Sequence, residues 1–217
     1  MNEHQIEVPM RAVHAAGIVL CGGRSSRMGQ PKAWLPFGNE LMLQRTVRTL
    51  RDVVNSVVVV AAPQQDVPAL PADVEIVRDE VDGHGPLQGL AAGLAALEGK
   101  ADAAFLSSCD MPLLTPAFVR RVIETLGERT AAVPRVDDHL HPLAGAYRLS
   151  VLPHVRAMLA AKQFRLSDLF GRVPTRYIEA HELADLDSLR NVNTPEEYAA
   201  ALRELDVIQS PHPNTKH

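Results

Sequence analysis

AAGIVLCGGRSSRMGQPK, residues Ala15 to Lys32, joins a short apolar run to a loop crowded with glycine and cationic side chains. The run AAGIVL (Ala15 to Leu20) is apolar on both alternating faces, which marks a strand buried on both sides, as parallel sheets require. It stops at Gly22-Gly23, a turn signal. The remainder, LCGGRSSRMGQPK (Leu20 to Lys32), holds three glycines, two serines, two arginines and a lysine. Glycines let the backbone approach a ligand closely, and consecutive amides form an anion-binding nest. Arg24, Arg27 and Lys32 add charge-assisted donors. That inventory suits a triphosphate, and a plain solvated loop has no need of three basic residues within nine positions. The spacing is neither G-x-G-x-x-G nor G-x-x-x-x-G-K-[ST], which disfavours both a hydride-transfer Rossmann site and a P-loop.

Outward from this stretch, Val/Ile/Ala-rich runs alternate with segments of helical period. Leu41, Leu43, Val47, Leu50 and Val54 predict an amphipathic helix from Glu40 to Val53, feeding a second strand at Val57 to Val60. VEIV (Val74 to Val77) reads as a third strand, GPLQGLAAGLAAL (Gly85 to Leu97) as a helix with its glycines toward the sheet, and ADAAFLSS (Ala101 to Ser108) as a fourth strand. Thr115-Pro116 is an N-cap followed by proline at the first helical position, opening a helix that ends near Gly127. TAAVPR and the segment from His139 to Tyr147 are expected as late strands. Asn193-Thr194-Pro195-Glu196-Glu197 supplies a capping box for a closing helix. The alternation predicts a three-layer α/β sandwich around a doubly wound, mostly parallel, Rossmann-like sheet. One domain is expected over residues 15–206, with disordered tails at 1–14 and 207–217, both polar and without an apolar face.

Composition narrows the functional classes. The 217 residues carry 22 Lys plus Arg against 26 Asp plus Glu, a net charge of −4 that offers no overall basic field for nucleic acid. The longest apolar runs are strand-sized, far below the roughly 20 residues of a membrane span. Two cysteines, Cys21 and Cys109, make no disulfide framework, and the N-terminus carries acids and no apolar signal core. A soluble cytoplasmic protein, bound to neither nucleic acid nor membrane, is the expectation.

Several polar residues stand out. Asp110 follows the fourth strand at the carboxyl edge, where open α/β sheets bind ligands, and Thr115 already fills the post of helix cap, leaving Asp110 for a metal. One carboxylate with phosphate oxygens and waters is an ordinary Mg²⁺ site. Asp79 is either a ligand contact or a turn residue in RDEVDGHG, with Asp82 as a competing candidate. Cys21 and Cys109 fall at the ends of strands that are neighbours in a doubly wound order, so they could lie close, as two small buried thiols. His139 and His141 belong either to a rim near an acceptor substrate or to a plain exposed hairpin. Asn191 and Asn193 precede the closing helix, where they could bind the acceptor, complete a metal shell or simply cap.

LCGGRSSRMGQPK closely resembles the signature L-A-G-G-x-S-x-R-M-G-x-x-K of molybdenum-cofactor-type nucleotidyltransferases, and specifically of molybdenum cofactor guanylyltransferases. Asp79 with GPLQGLAAGL (Gly85 to Leu94), CDMPLL (Cys109 to Leu114) and NVNTPEE (Asn191 to Glu197) resemble that family's later motifs in order, over roughly Ala16 to Leu202. HPLAGAYR is similar to its strand beside the cofactor pocket. The double glycine and the G-P-L segment favour the guanylyl over the cytidylyl branch. The resemblance implies a Mg²⁺-dependent enzyme of the nucleotidyltransferase fold that joins GMP from GTP to the phosphate of molybdenum-molybdopterin, releasing pyrophosphate. It implies that Leu20, Cys21, Gly22, Gly23, Asp79, Gly85, Pro86 and Leu87 line the nucleotide, that Arg27 and Lys32 hold phosphates, and that Asp110 binds Mg²⁺. His141, Asn191 and Asn193 would face the acceptor, and molybdenum-insertion proteins and client molybdoenzymes would be the protein partners. Two positions depart from the family: Cys21 replaces its alanine, and Val60-Ala61-Ala62 stands where some members place a nucleotide-contacting asparagine. A relative using CTP or a sugar phosphate, and a non-catalytic GTP-binding or cofactor-carrier protein, are the alternatives.

Overall fold

A computed structural model describes residues 13–22, 30–79, 85–183 and 185–209. In chain order the principal elements are β1 (Ala15–Leu20), β2 (Pro36–Phe37), β3 (Glu40–Leu41), α1 (Met42–Arg51), β4 (Val57–Ala61), β5 (Glu75–Arg78), α2 (Gly85–Ala96) and β6 (Ala103–Ser108). There follow α3 (Pro116–Thr125), β7 (Ala131–Val136), β8 (His139–Leu140), β9 (Gly145–Arg148), α4 (Leu152–Ala160), β10 (Thr175–Glu179) and α5 (Pro195–Gln209). The main sheet has the order β10-β7-β9-β6-β1-β4-β5, with β8 folded back onto β7. β5, β4, β1 and β6 run parallel, β9 is antiparallel to both β6 and β7, and β10 is parallel to β7.

Burial on both faces explains the composition of the central strands. Every residue of β4 and β6 is buried, and β4 reads VVVVA because β-branched side chains pack well on a pleated surface covered on both sides. On one face Val19, Val59 and Phe105 meet Leu43, Val47 and Val122 of α1 and α3. On the other, Ile18, Leu20 and Val58 meet Leu90 and Leu94 of α2 and Val155 of α4. These are the three layers. A smaller cluster joins Leu35, Phe37 and Met42 to Leu113 and to Val192, Ala201 and Leu205, clamping α5 across the segment that follows β6.

Local chemistry moved several boundaries. The helix expected from Glu40 starts at Met42, because Gly38, with φ of 65°, and Asn39 turn Pro36–Phe37 back on Glu40–Leu41 as a small antiparallel hairpin. The third strand lies one residue later than expected. The strand expected from His139 to Tyr147 breaks at Pro142, which cannot donate to a ladder and instead opens a 3-10 turn (Pro142–Ala144) before β9. Asp137 and Asp138, at φ of 47° and 61°, form the tight turn between β7 and β8. α4 and β10 had no expected counterpart, and α5 runs to Gln209, past the expected tail boundary at residue 207. Both expected helix starts are as read: the Thr115 hydroxyl accepts from Phe118 N at 3.3 Å, and that of Thr194 from Glu197 N at 3.2 Å. Among the described residues no helix is long and apolar enough to cross a membrane.

Candidate active site

The carboxyl ends of β1, β4, β5 and β6 leave the sheet side by side. Cys21 N donates to Val60 O at 2.8 Å, Asp79 N to Ala61 O at 2.8 Å, and Cys109 N to Leu20 O at 3.1 Å, so the loops after these strands begin in step. Leu20, Cys21, Gly22, Asp79 and Asp110 therefore share one edge of the sheet, the edge where α/β proteins bind ligands. A half-buried glutamine stitches it. Gln65 donates from Nε2 to Cys21 O at 2.9 Å and accepts at Oε1 from Ala62 N at 3.1 Å, while the Arg78 guanidinium donates to the carbonyls of Ala62 and Gln65.

Two glycines bring α2 onto β1. A Cβ at Gly89 would lie 2.8 Å from Leu20 Cδ2, and one at Gly93 would lie 2.7 Å from Ile18 Cγ2. Only hydrogen at these two positions, one helical turn apart, permits that approach. The glycines thus face the sheet, as their spacing predicted. Gly85 opens α2 at φ of 70°, a left-handed conformation suited to glycine, and Leu87 is buried with Leu20. The first turn of α2, the positive end of its dipole, thus lies against the end of β1, where Leu87 and Leu20 share one buried cluster.

The cationic centre is assembled from three distant segments. Lys32 Nζ donates to Asp110 Oδ2 at 2.8 Å and to Asn193 Oδ1 at 2.6 Å, and the Lys32 and Asp110 side chains are only 14% and 18% exposed. Ser108 Oγ donates to the other oxygen, Asp110 Oδ1, at 2.5 Å. Asp110 O accepts from Val192 N at 2.8 Å, and Glu197 Oε2 accepts from Asn193 N at 2.6 Å and Thr194 N at 3.1 Å. The capping box of α5 thereby holds Asn193 on the lysine. Lys32 donates to one Asp110 oxygen and Ser108 to the other, and a carboxylate oxygen can accept more than one hydrogen bond. Among the described residues no group of three or more His, Cys, Asp or Glu could hold a metal by itself. A lone carboxylate at the carboxyl edge of the sheet suits Mg²⁺, which keeps waters and shares its shell with phosphate oxygens instead of requiring a protein cage.

Other expected residues are placed differently. Asn191 is exposed and, with Leu113, Arg190 and Glu197, lines a cavity of about 200 Å³; it is Asn193 that reaches Lys32. His141 is half-buried just after β8, its backbone N–H donating to Pro134 O at 2.9 Å; burial of the imidazole first, then nearby His139, lower its pKa. Gly23, Arg27 and Asp82 lie outside the described residues. Cys21 and Cys109 are both buried and in direct interaction: Cys109 lowers the Cys21 pKa against the effect of burial, while that of Cys109 is raised by Cys21 and by burial. Sequence reading missed Gln65, Ser108 and Glu197 as site residues. Glu197 carried a signal as the third helical residue of the capping box; Gln65 carried none.

Residues 17–177 match the family described as the MobA-like NTP transferase domain. A probable molybdenum cofactor guanylyltransferase of Pelotomaculum thermopropionicum is 34% identical over 194 residues, covering 87% of this chain and 92% of the relative. One of Mycobacterium marinum is 36% identical over 196 residues, covering 88% and 95%. Among solved structures, molybdopterin-guanine dinucleotide biosynthesis protein A of Archaeoglobus fulgidus superposes with a TM-score of 0.72 at 19% identity, covering 88% of this chain and 99% of that one.

Proposed function

The chain belongs to the MobA-like NTP transferase family, and from that membership and the Lys32, Asp110 and Asn193 centre we propose how it works as a molybdenum cofactor guanylyltransferase. It transfers GMP from GTP to the phosphate of molybdenum-molybdopterin and releases pyrophosphate. The acceptor phosphate oxygen attacks the α-phosphorus, and the bond from that phosphorus to the β-phosphate oxygen breaks. The nucleophile is already an anion, so no general base is needed; what remains is alignment and the neutralisation of charge on the leaving pyrophosphate.

This chain's residues meet both needs. The Lys32 ammonium stands at the sheet edge, aimed by Asn193 and Asp110, and exchanges those partners for phosphate oxygens when the nucleotide arrives. The start of α2 and the amides after β1 add fixed partial positive charge. Leu20, Cys21, Gly22 and Asp79 line the nucleoside side, with Gln65 holding the Cys21 carbonyl in place. Gly23 is assigned to the nucleotide and Arg27 to its phosphates. Asp110 would hold a Mg²⁺ ion, with Ser108 fixing the carboxylate. When bound, that ion supplies charge neutralisation across the phosphates. His141 and Asn191 are assigned to the acceptor side. Molybdenum-insertion proteins and client molybdoenzymes are the proposed protein contacts, and the cytoplasm the proposed compartment.

The observation that carries this reading is the convergence of Lys32, Asp110 and Asn193, from three motifs, on one hydrogen-bonded centre. Melting temperature measured with GTP, CTP, ATP or UTP in the presence of Mg²⁺ tests it. A ligand at 100 times its Kd adds about 2.7 kcal/mol, and GTP should give the largest rise. An equal rise with CTP would move the chain to a cytidylyl specificity.

A further inference from the structure

Nucleotidyl transfer uses no thiol, yet two thiols stand together between the nucleotide loop and the metal-binding carboxylate. Leu20 pairs with Ser108 on the last rung between β1 and β6, so Cys21 and Cys109 occupy the next one, tied by the bond from Cys109 N to Leu20 O. Both side chains enter the same buried cluster with Val19, Ala33 and Met111. Neighbouring strands lie about 4.8 Å apart, inside the roughly 4.4–6.8 Å of Cα separation that a disulfide spans. No disulfide is formed: both cysteines are free.

We propose that Cys21 and Cys109 form an oxidation site whose co-reactant is a small peroxide, and that the disulfide they make weakens nucleotide binding. Cys21 reacts first, because the Gln65 amide donates to its Sγ at 3.4 Å and favours the thiolate. Its sulfur attacks a peroxide oxygen; the S–O bond forms, the O–O bond breaks, and the departing oxygen takes the thiol proton to leave as an alcohol or water. The Cys109 sulfur then attacks the Cys21 sulfenic acid, the S–S bond forms, the S–O bond breaks, and water leaves with the second thiol proton. Two thiols lose two electrons and the peroxide gains them. Only a small oxidant reaches sulfurs this buried. Contraction to an S–S length of about 2.05 Å draws the loop of Cys21 and Gly22 toward Cys109 and disturbs Asp110 beside it.

The effect on nucleotide rests on the function proposed above; formation of the bond does not. The full chain is reduced, exposed to hydrogen peroxide and quenched, then read by intact mass, by peptide mapping without reductant, and by the melting-temperature rise with Mg²⁺ and GTP. Expected are a loss of about 2 Da, a peptide pair linked through Cys21 and Cys109, and a GTP-dependent rise cut by at least half and restored by dithiothreitol. Cys109→Ala should form no linked pair, and Cys21→Ala serves the same purpose if the first variant fails to fold. Mass gains of about 16 or 32 Da without a linked pair, a link between two molecules, or a linked pair with an undiminished GTP response would overturn the proposal. If another nucleotide stabilises the reduced protein in place of GTP, the functional reading fails separately, and the mass and mapping results, with that nucleotide as probe, still decide the thiol site.

Discussion

Lys32 and Asp110 neutralise one another while the site waits, and their roles separate on substitution. Lys32→Ala should lower turnover roughly 10²-fold or more, the scale for losing one preorganised charge partner of a transition state; steady-state kinetics showing a loss under about threefold would make Lys32 merely a partner of Asp110. Asp110→Asn keeps an oxygen for the lysine and nearly the same shape but loses the charge that holds a metal. Turnover should therefore collapse while melting temperature moves little, and added Mg²⁺ should recover little activity. An unfolded variant whose folded remainder turned over normally would contradict the metal role. His141 gives a prediction in pH. Burial, then His139, lower its folded pKa below the ordinary 6.5, so the unfolded chain takes up a proton first as pH falls. The stability this side chain contributes is present above pH 6.5 and is lost below it. Melting curves at about pH 7.5 and 5.5 should show the wild type losing more than His141→Gln; equal losses would refute a buried neutral imidazole.

At the scale of elements, two helix starts govern the site. Gly93→Ala gains at most about 1 kcal/mol of helix propensity. The new Cβ, however, would lie 2.7, 2.9 and 3.0 Å from three atoms of Ile18 inside a full core. Overpacking of that kind costs about 1–3 kcal/mol, so the net effect should be destabilising by denaturant titration. Gly89→Ala presses on Leu20 at the root of the nucleotide loop and should also raise KM for GTP. Thr194→Ala removes the cap of α5 at a cost of about 1 kcal/mol. Because the same turn carries Asn193 to Lys32, its kcat should fall where a remote cap deletion of equal cost leaves kcat alone.

Across the whole molecule, α5 is both a structural clamp and a wall of the site. Ala201 and Leu205 pack with Leu35, Phe37 and Leu113, and the turn before α5 supplies Asn193. Removal of residues 210–217, the segment SPHPNTKH, should leave folding and GTP binding intact, since it has no apolar periodicity to dock. Removal of 195–217 should lower melting temperature and weaken GTP binding together; calorimetry with and without GTP separates the two. Much of this was legible along the chain. Apolar runs marked β1, β4 and β6, glycines at i and i+4 marked the face of α2, and Thr-Pro pairs marked the starts of α3 and α5, because each depends on side chains only a few residues apart. The antiparallel insertion of β9, the pairing of β10 with β7 and the Gln65 stitch depend on chain segments up to 45 residues apart. Nothing in the neighbours of Asn193 announces that it, not Asn191, meets a lysine 161 positions away. Local propensity is a sum over adjacent residues and can be read in order, whereas a contact between distant segments exists only once burial of the apolar clusters has chosen which surfaces meet.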